Sequence, residues 1–169
     1  MKKIAFIGAL VSCVFSASAA MASPACTIIA PAKVESLLGM KIASMTPTKG
    51  VLSEACSYLT APGPRGPIFF VVERYTIAIP PGKEVDLMMK TSDSVIVPIA
   101  GLGDSAAMDT ATYELVMRNG ADVYKVNSRG MVCEKAQPGE MVEEAKAKCL
   151  AKHSAVLKQA AGFILSPAK

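Results

Sequence analysis

The chain has 169 residues but no tryptophan, a single histidine and few aromatic side chains, which make up 5% of it. So few rings argue against a sugar-stacking surface, because such surfaces are built from them. Ser-His-Asp hydrolysis would have to use His153, and no G-x-S-x-G elbow supplies the serine. The acidic residues are scattered and form no identifiable acid-base pair. We therefore assign no catalytic residue and expect no cofactor.

The chain also lacks a large excess of charge of either sign. The chain carries 18 Lys and Arg against 14 Asp and Glu, a net charge of +4, and two of the lysines lie at its extreme N-terminus. Because no basic run is interleaved with aromatic residues, we expect no nucleic-acid partner. No long apolar run follows the N-terminal one, so we expect no transmembrane span in the mature chain.

The N-terminus has the order of a secretory signal peptide. Two lysines precede a largely apolar run over residues 4–15, and the small residues SASAAMAS follow. The apolar run is too short to cross a bilayer as a helix. Of two A-x-A sites, ASA and AMA, we prefer cleavage after Ala22. The prediction is a signal peptide over residues 1–22, a single α+β domain over residues 23–169, and a periplasmic or secreted protein.

The alternative to a cleaved leader is a lipoprotein signal. Residues 10–13, LVSC, have the order that could place a lipid on Cys13 and anchor the chain. Only a short apolar run precedes Cys13, however, and apolar residues continue past it. The lipid-anchored form is therefore the less favoured interpretation.

Four cysteines follow the predicted leader: Cys26, Cys56, Cys133 and Cys149. An even number in an exported protein indicates disulfides. Three pairings are open, and segregation into an early and a late pair favours Cys26 with Cys56 and Cys133 with Cys149. A thiolate metal site is disfavoured because there is no C-x-x-C motif.

The periodicity predicts an α+β domain, with a mainly antiparallel sheet, two short helices and a long C-terminal amphipathic helix packed on it. The continuous apolar start of residues 68–78 predicts a central strand buried on both faces. Pro98 predicts that its segment is either an edge strand or irregular. The helices are expected over residues 31–38, 83–90 and 138–163, and the other strands over residues 41–45, 52–59 and 95–100.

The segment 113–127, YELVMRNGADVYKVN, predicts a β-hairpin. Asn119-Gly120 accommodates the positive φ angles of a two-residue turn. Arg118 is then expected opposite Ala121, and Glu114 opposite Lys125, which would give one apolar face and one charged pair.

Gly101-x-Gly103-x-x-Ala106 has the spacing of a dinucleotide-binding turn. That site requires a long helix directly after the glycines, whereas residues 106–111 run into the hairpin. We therefore predict a structural turn, with Gly101 and Gly103 at positive φ and the Asp104 carboxylate as its cap.

Three further features are candidate binding or catalytic sites. The loop over residues 61–67, APGPRGP, is a candidate recognition loop centred on Arg65, although a plain strand connection is favoured. Met88 and Met89 could bind a soft metal, although methionine more often fills core gaps. Cys149 and His153 are spaced i, i+4 and could ligate a metal or form a nucleophile. Either role needs a free thiolate, which a disulfide removes.

The order of these features resembles small exported bacterial domains, many of them lipoproteins and most of unknown function. The similarity covers residues 26–127 and rests on an early Cys with a helix ending in Leu-Gly, the C-x-Y strand at Cys56, the GLGDSA loop and the hairpin. The resemblance implies the disulfide Cys26–Cys56 and a packed, noncatalytic GLGD loop, and it brings no ligand. The long C-terminal helix and the pair Cys133 and Cys149 depart from the pattern.

The sequence therefore predicts an exported, non-enzymatic domain that binds an envelope protein or a small ligand. Two alternatives remain open: a small periplasmic enzyme that uses Cys149 and His153, and a methionine-based metal-binding protein.

Overall fold

The computed structural model describes residues 24–63, 66–87, 95–128, 131, 133 and 141–166. The predicted signal peptide, with Cys13, lies outside the described residues, and so do Arg65, Met88 and Met89.

Within these residues the chain forms three α-helices, one 3₁₀ turn and seven β-strands. In chain order they are α1 (Pro24–Thr27), α2 (Pro31–Leu38), β1 (Ile42–Lys49), β2 (Ser53–Thr60), β3 (Phe69–Tyr75), the 3₁₀ turn (Val85–Leu87), β4 (Ile96–Pro98), β5 (Ser105–Asp109), β6 (Glu114–Asn119), β7 (Asp122–Asn127) and α3 (Val142–Leu165).

The strands form one antiparallel sheet in the order β1-β2-β3-β7-β6-β5-β4. The hairpin β6–β7 lies in the middle, and β4 is the strand at one edge, as Pro98 predicted. The α+β class, with two short helices and a long C-terminal helix, is confirmed. No described helix combines the length and apolar composition that a bilayer crossing requires.

The main core lies between the helices and one face of the sheet. Tyr58, Phe70 and Leu115 from the strands are fully buried together with Val34 of α2 and Leu157 of α3. A smaller cluster on the opposite face packs the segment before the 3₁₀ turn onto the sheet through Ile79, Ala107, Val116 and Val123. The sheet is thus covered on both sides at its β5–β6–β7 end.

The prediction that β3 is buried on both faces was wrong. Phe70 and Val72 face the helices and are fully buried, whereas Phe69 is 54% exposed and Val71 is half-buried. The strand lies inside the sheet between β2 and β7, but the helices cover only one face of it. The apolar run over residues 68–72 is continuous because Phe69 is apolar although it lies at the surface.

The predicted hairpin register was also wrong, by two residues. Asn119 lies opposite Asp122 and Glu114 opposite Asn127, so Gly120 and Ala121 form the turn, with Gly120 at φ 61°. Sliding one strand by two residues returns every side chain to the same face. The alternation of apolar and polar residues therefore could not separate the two registers.

Two boundaries differ from the predictions for local reasons. The first strand runs through Pro47 to Lys49, because β1 is an edge strand and needs no donor on its open side. The expected helix over residues 83–90 is a 3₁₀ turn at Val85–Leu87, and residues 88–90 lie outside the described residues. Strand β5 was not predicted, because SAAMD has little alternation.

Candidate functional site

Two disulfides fasten the helices to the rest of the fold. Cys26 of α1 is bonded to Cys56 of β2, with their Cα atoms 4.9 Å apart. Cys133, on the segment between β7 and α3, is bonded to Cys149 of α3, with a Cα separation of 5.3 Å. This is the pairing that the segregation of the cysteines favoured.

His153 lies against the second disulfide. It follows Cys149 by one helical turn, so both side chains point from α3 toward the sheet. Its ring is 1% exposed. The Nε2 atom lies 3.7 Å from Cys133 Sγ, and the Nδ1 atom lies 2.8 Å from the hydroxyl oxygen of Ser128, which is also buried. Both ring nitrogens therefore have a polar neighbour.

Tyr113 completes this group from the turn that precedes β6. Its ring stacks on the imidazole with 3.9 Å between centroids and an interplanar angle of 16°, and its hydroxyl lies 3.6 Å from Cys149 Sγ. Tyr113 has a φ of 54°, in the left-handed region that costs a non-glycine residue about 1–3 kcal/mol. We call Tyr113, Ser128, Cys133, Cys149 and His153 the Cys–His cluster.

The electrostatics of the cluster favour a neutral imidazole. Burial lowers the pKa of His153, the nearby Lys152 charge lowers it further, and a backbone hydrogen bond with Met131 opposes both. At neutral pH the ring therefore carries one proton and keeps one nitrogen lone pair. That form can ligate a metal or accept a proton.

The disulfide between Cys133 and Cys149 limits the chemistry of the oxidised Cys–His cluster. A nucleophile or a metal ligand must be a thiolate, and both sulfurs are bonded to each other. Cys149 is therefore not a free nucleophile beside His153. Among the described residues, Cys133, Cys149 and His153 are the group whose ligand atoms come close enough to hold a metal, all within 4.8 Å of one another.

Sequence reasoning paired Cys149 with His153 but missed the rest of the cluster. Ser128 lies just after β7, and Tyr113 comes from a turn 40 residues before the histidine. Both reach His153 only because α3 packs across the β6–β7 hairpin. No sequence spacing signals either contact, and the tyrosine gives no sign that its backbone is left-handed.

The GLGD segment is fastened to the hairpin. Gly101 and Gly103 have φ angles of 78° and 57°, and a Cβ on Gly103 would overlap the carbonyl oxygen of Arg118. The Asp104 amide donates to that same carbonyl at 2.9 Å, and the Asp104 carboxylate accepts from the Gly120 amide at 2.6 Å. The residues that follow form β5, whereas a dinucleotide turn leads into a helix.

A buried ion pair lies on the opposite face of the sheet. The Arg118 guanidinium donates to the Glu84 carboxylate and to the Ile79 carbonyl. Burial raises the pKa of Glu84, but the hydrogen bond from Arg118 and backbone donors outweigh it and leave the pKa below its ordinary value. Beside the pair is a cavity of about 240 Å³, lined by Gly82, Glu84, Val85, Pro98, Ser105, Ala106, Ala107 and Val116.

No protein-family model, curated protein or solved structure matches this chain. The resemblance to small exported bacterial domains therefore stays a prediction.

Proposed function

We propose that this chain is an exported, disulfide-stabilised domain of the periplasm or outer envelope, and that it acts by binding a partner protein. The observation that carries the proposal is the pair of formed disulfides, which engage all four cysteines after the leader. Disulfides persist in oxidising compartments and are rare in the cytosol. The basic, apolar and small-residue order of residues 1–22 agrees with that location.

The state of the Cys–His cluster favours binding over catalysis. Cys149 is oxidised, and the neighbouring His153 is buried with Ser128 and Cys133 at its two nitrogens. A Cys-His enzyme needs a free thiolate within reach of substrate. In the oxidised chain these residues instead join α3 to the segment after β7.

A contact surface is available at one end of the sheet. Val51 is 92% exposed, Leu52 is 53% exposed, and Ile77 is 41% exposed. The Thr76 amide donates to the Leu52 carbonyl at 2.9 Å, which holds the β1–β2 turn beside the end of β3. We call Val51, Leu52 and Ile77 the apolar tip. Grouped exposed apolar side chains are typical of surfaces that bind other macromolecules.

The two cavities found among the described residues favour a protein over a small ligand. The cavity beside Glu84 holds about 240 Å³, whereas sites for small molecules occupy about 300–1,000 Å³. A larger depression of about 350 Å³ beside α2, lined by Ala32, Glu35, Ser36, Gly39, Met40 and Lys41, falls within that range but is open to solvent. It would therefore leave much of a bound ligand's surface exposed.

The first test is the location and covalent state of the chain. The full sequence, expressed with a C-terminal tag in a bacterial host, should appear in the envelope fraction. Its intact mass should correspond to cleavage after Ala22 and to two disulfides. An uncut chain among cytosolic proteins with all five of its cysteines as reactive thiols would rule the proposal out.

The second test addresses the apolar tip. A photoreactive side chain at position 51, 52 or 77 should crosslink to one protein in envelope extract. The same group at the exposed Lys158 of α3 is the matched control and should not. Equal capture from both positions, or none from the tip, would contradict a partner site there.

A further inference from the structure

We infer that Cys133, Cys149 and His153 form a site for one thiophilic transition-metal ion of the Zn²⁺ class once the disulfide between the two cysteines is reduced. The inference goes beyond the proposed function and does not depend on it. It concerns the reduced, dithiol state of Cys133 and Cys149.

The three donors lie close to the spacing of a metal site. Bonds of about 2.3 Å to sulfur and about 2.0 Å to nitrogen, at tetrahedral angles, place the sulfur and nitrogen atoms roughly 3.5 Å apart. In the structure His153 Nε2 lies 3.7 Å from Cys133 Sγ, and all three donor atoms lie within 4.8 Å of one another. Separation of the two sulfurs on reduction would complete the triangle.

The imidazole is oriented for this role. If Nδ1 carries the proton and donates it to Ser128 at 2.8 Å, the lone pair of Nε2 points toward Cys133. Metal-bound histidines regularly use their second nitrogen in this way. The stacked ring of Tyr113 fixes the plane of the imidazole, and its hydroxyl lies 3.6 Å from Cys149 Sγ, where it can donate to a thiolate.

The chemistry balances with a dithiol as the reductant. The dithiol gives two electrons and two protons to the Cys133–Cys149 bond, becomes a disulfide itself, and leaves two cysteine thiols. A divalent ion then displaces one proton from each thiol and binds two thiolates and the neutral His153. Three protein ligands leave the fourth tetrahedral position to water.

The other disulfide provides an internal contrast. Cys26 and Cys56 are both buried in the main core among apolar side chains, and among the described residues no metal-ligand group includes them. Cys133 is half-buried, so mild reduction should open the second bond first. The two states can therefore be compared in a protein whose core disulfide is intact.

Co²⁺ is the probe, because thiolate ligation gives it a sulfur-to-metal charge-transfer absorption. The mildly reduced protein should bind one Co²⁺ per chain with that absorption, and Zn²⁺ should displace it. The oxidised protein should bind none. Cys133→Ser and His153→Gln should abolish the tetrahedral spectrum, and Ser128→Ala should weaken binding about 10- to 100-fold. Lys158→Gln, at another exposed lysine of α3, is the matched control and should bind as the wild type does.

Two outcomes of the Co²⁺ experiment would overturn the inference. One is a reduced wild-type protein without the charge-transfer band, and the other is a band that survives Cys133→Ser. X-ray absorption of Zn²⁺ bound to the reduced wild-type protein needs no variant and covers the case in which a substitution prevents folding. Two sulfurs and one imidazole support the site, whereas a shell of sulfur alone or without sulfur refutes it.

Discussion

The two disulfides have very different surroundings. Cys26 and Cys56 lie in the main core together with Ile29, Tyr58 and Phe70, and both cysteines are buried. Cys133 and Cys149 lie at the side of α3 with an imidazole and a phenol beside their sulfurs, and the Ser128 hydroxyl contacts the other nitrogen of that imidazole. The first bond has the neighbours of a purely structural crosslink. The second has the neighbours that stabilise thiolates.

The difference between the two bonds lies in their surroundings. The separations in sequence are 30 and 16 residues, which give similar stabilisation in the chain-entropy model. Stability alone therefore does not explain why the sulfurs of one bond have two polar side chains, His153 and Tyr113, in contact with them. Substitutions can separate the contribution of each bond from that of its surroundings.

The largest effect is expected from removing the core disulfide. Cys26→Ala with Cys56→Ala should lower the free energy of unfolding by about 4 kcal/mol, because the bond closes the longer loop. That corresponds to a fall of roughly 10 °C in the melting temperature. Thermal unfolding followed by circular dichroism measures it. A smaller loss than in the matching Cys133 and Cys149 variant would reverse the assigned roles.

Removing the second disulfide should cost slightly less. Cys133→Ala with Cys149→Ala should lower the free energy of unfolding by about 3 kcal/mol, since the loop is shorter. The loss should concentrate in α3, whose first two turns are mostly exposed and are joined to the fold through Cys149. Amide hydrogen exchange should therefore accelerate in α3 more than in β2. Uniform acceleration across the sheet would contradict this.

A smaller effect is expected beside the core disulfide. Tyr58→Phe removes the hydrogen bond that the buried hydroxyl donates to the Ile29 carbonyl at 2.7 Å. The carbonyl is then left without this donor, which should cost about 1–2 kcal/mol in urea unfolding. Tyr113→Phe removes a hydroxyl beside the other disulfide and serves as the control, with little loss expected in the oxidised protein. Equal losses would show that the two hydroxyls contribute alike.

The smallest effect concerns pH. The pKa of His153 is lowered in the folded state, so the unfolded chain binds its proton first as the pH falls. Stability should therefore decline as the pH falls below the unfolded value of about 6.5 and level off below the folded pKa. The urea midpoint of the oxidised protein, compared at pH 7.5 and 5.5, should shift less in His153→Gln than in the wild type. An unchanged shift would assign the pH dependence to other groups.

The sequence predicted the features that single proline and glycine residues determine, such as the ends of α2 and the edge strand. Pro31 begins α2 because its fixed φ suits the first helical position, and Gly39, at φ 66°, ends it because glycine tolerates the left-handed conformation. Pro98 placed its strand at an edge. The hairpin register failed because a two-residue shift conserves the faces, and only the turn at Gly120 distinguishes the two registers. The Cys–His cluster depends on contacts between α3 and the ends of β6 and β7, which a single sequence does not encode as spacing.

Both outer strands of the sheet contain a proline, Pro47 in β1 and Pro98 in β4. An unpaired strand edge is a template on which a second chain can add its own strand, and this is how many β-rich proteins polymerise. A proline nitrogen offers no donor to such an incoming strand. Each border of this sheet is therefore interrupted, which disfavours fibril-like growth by strand addition at either edge.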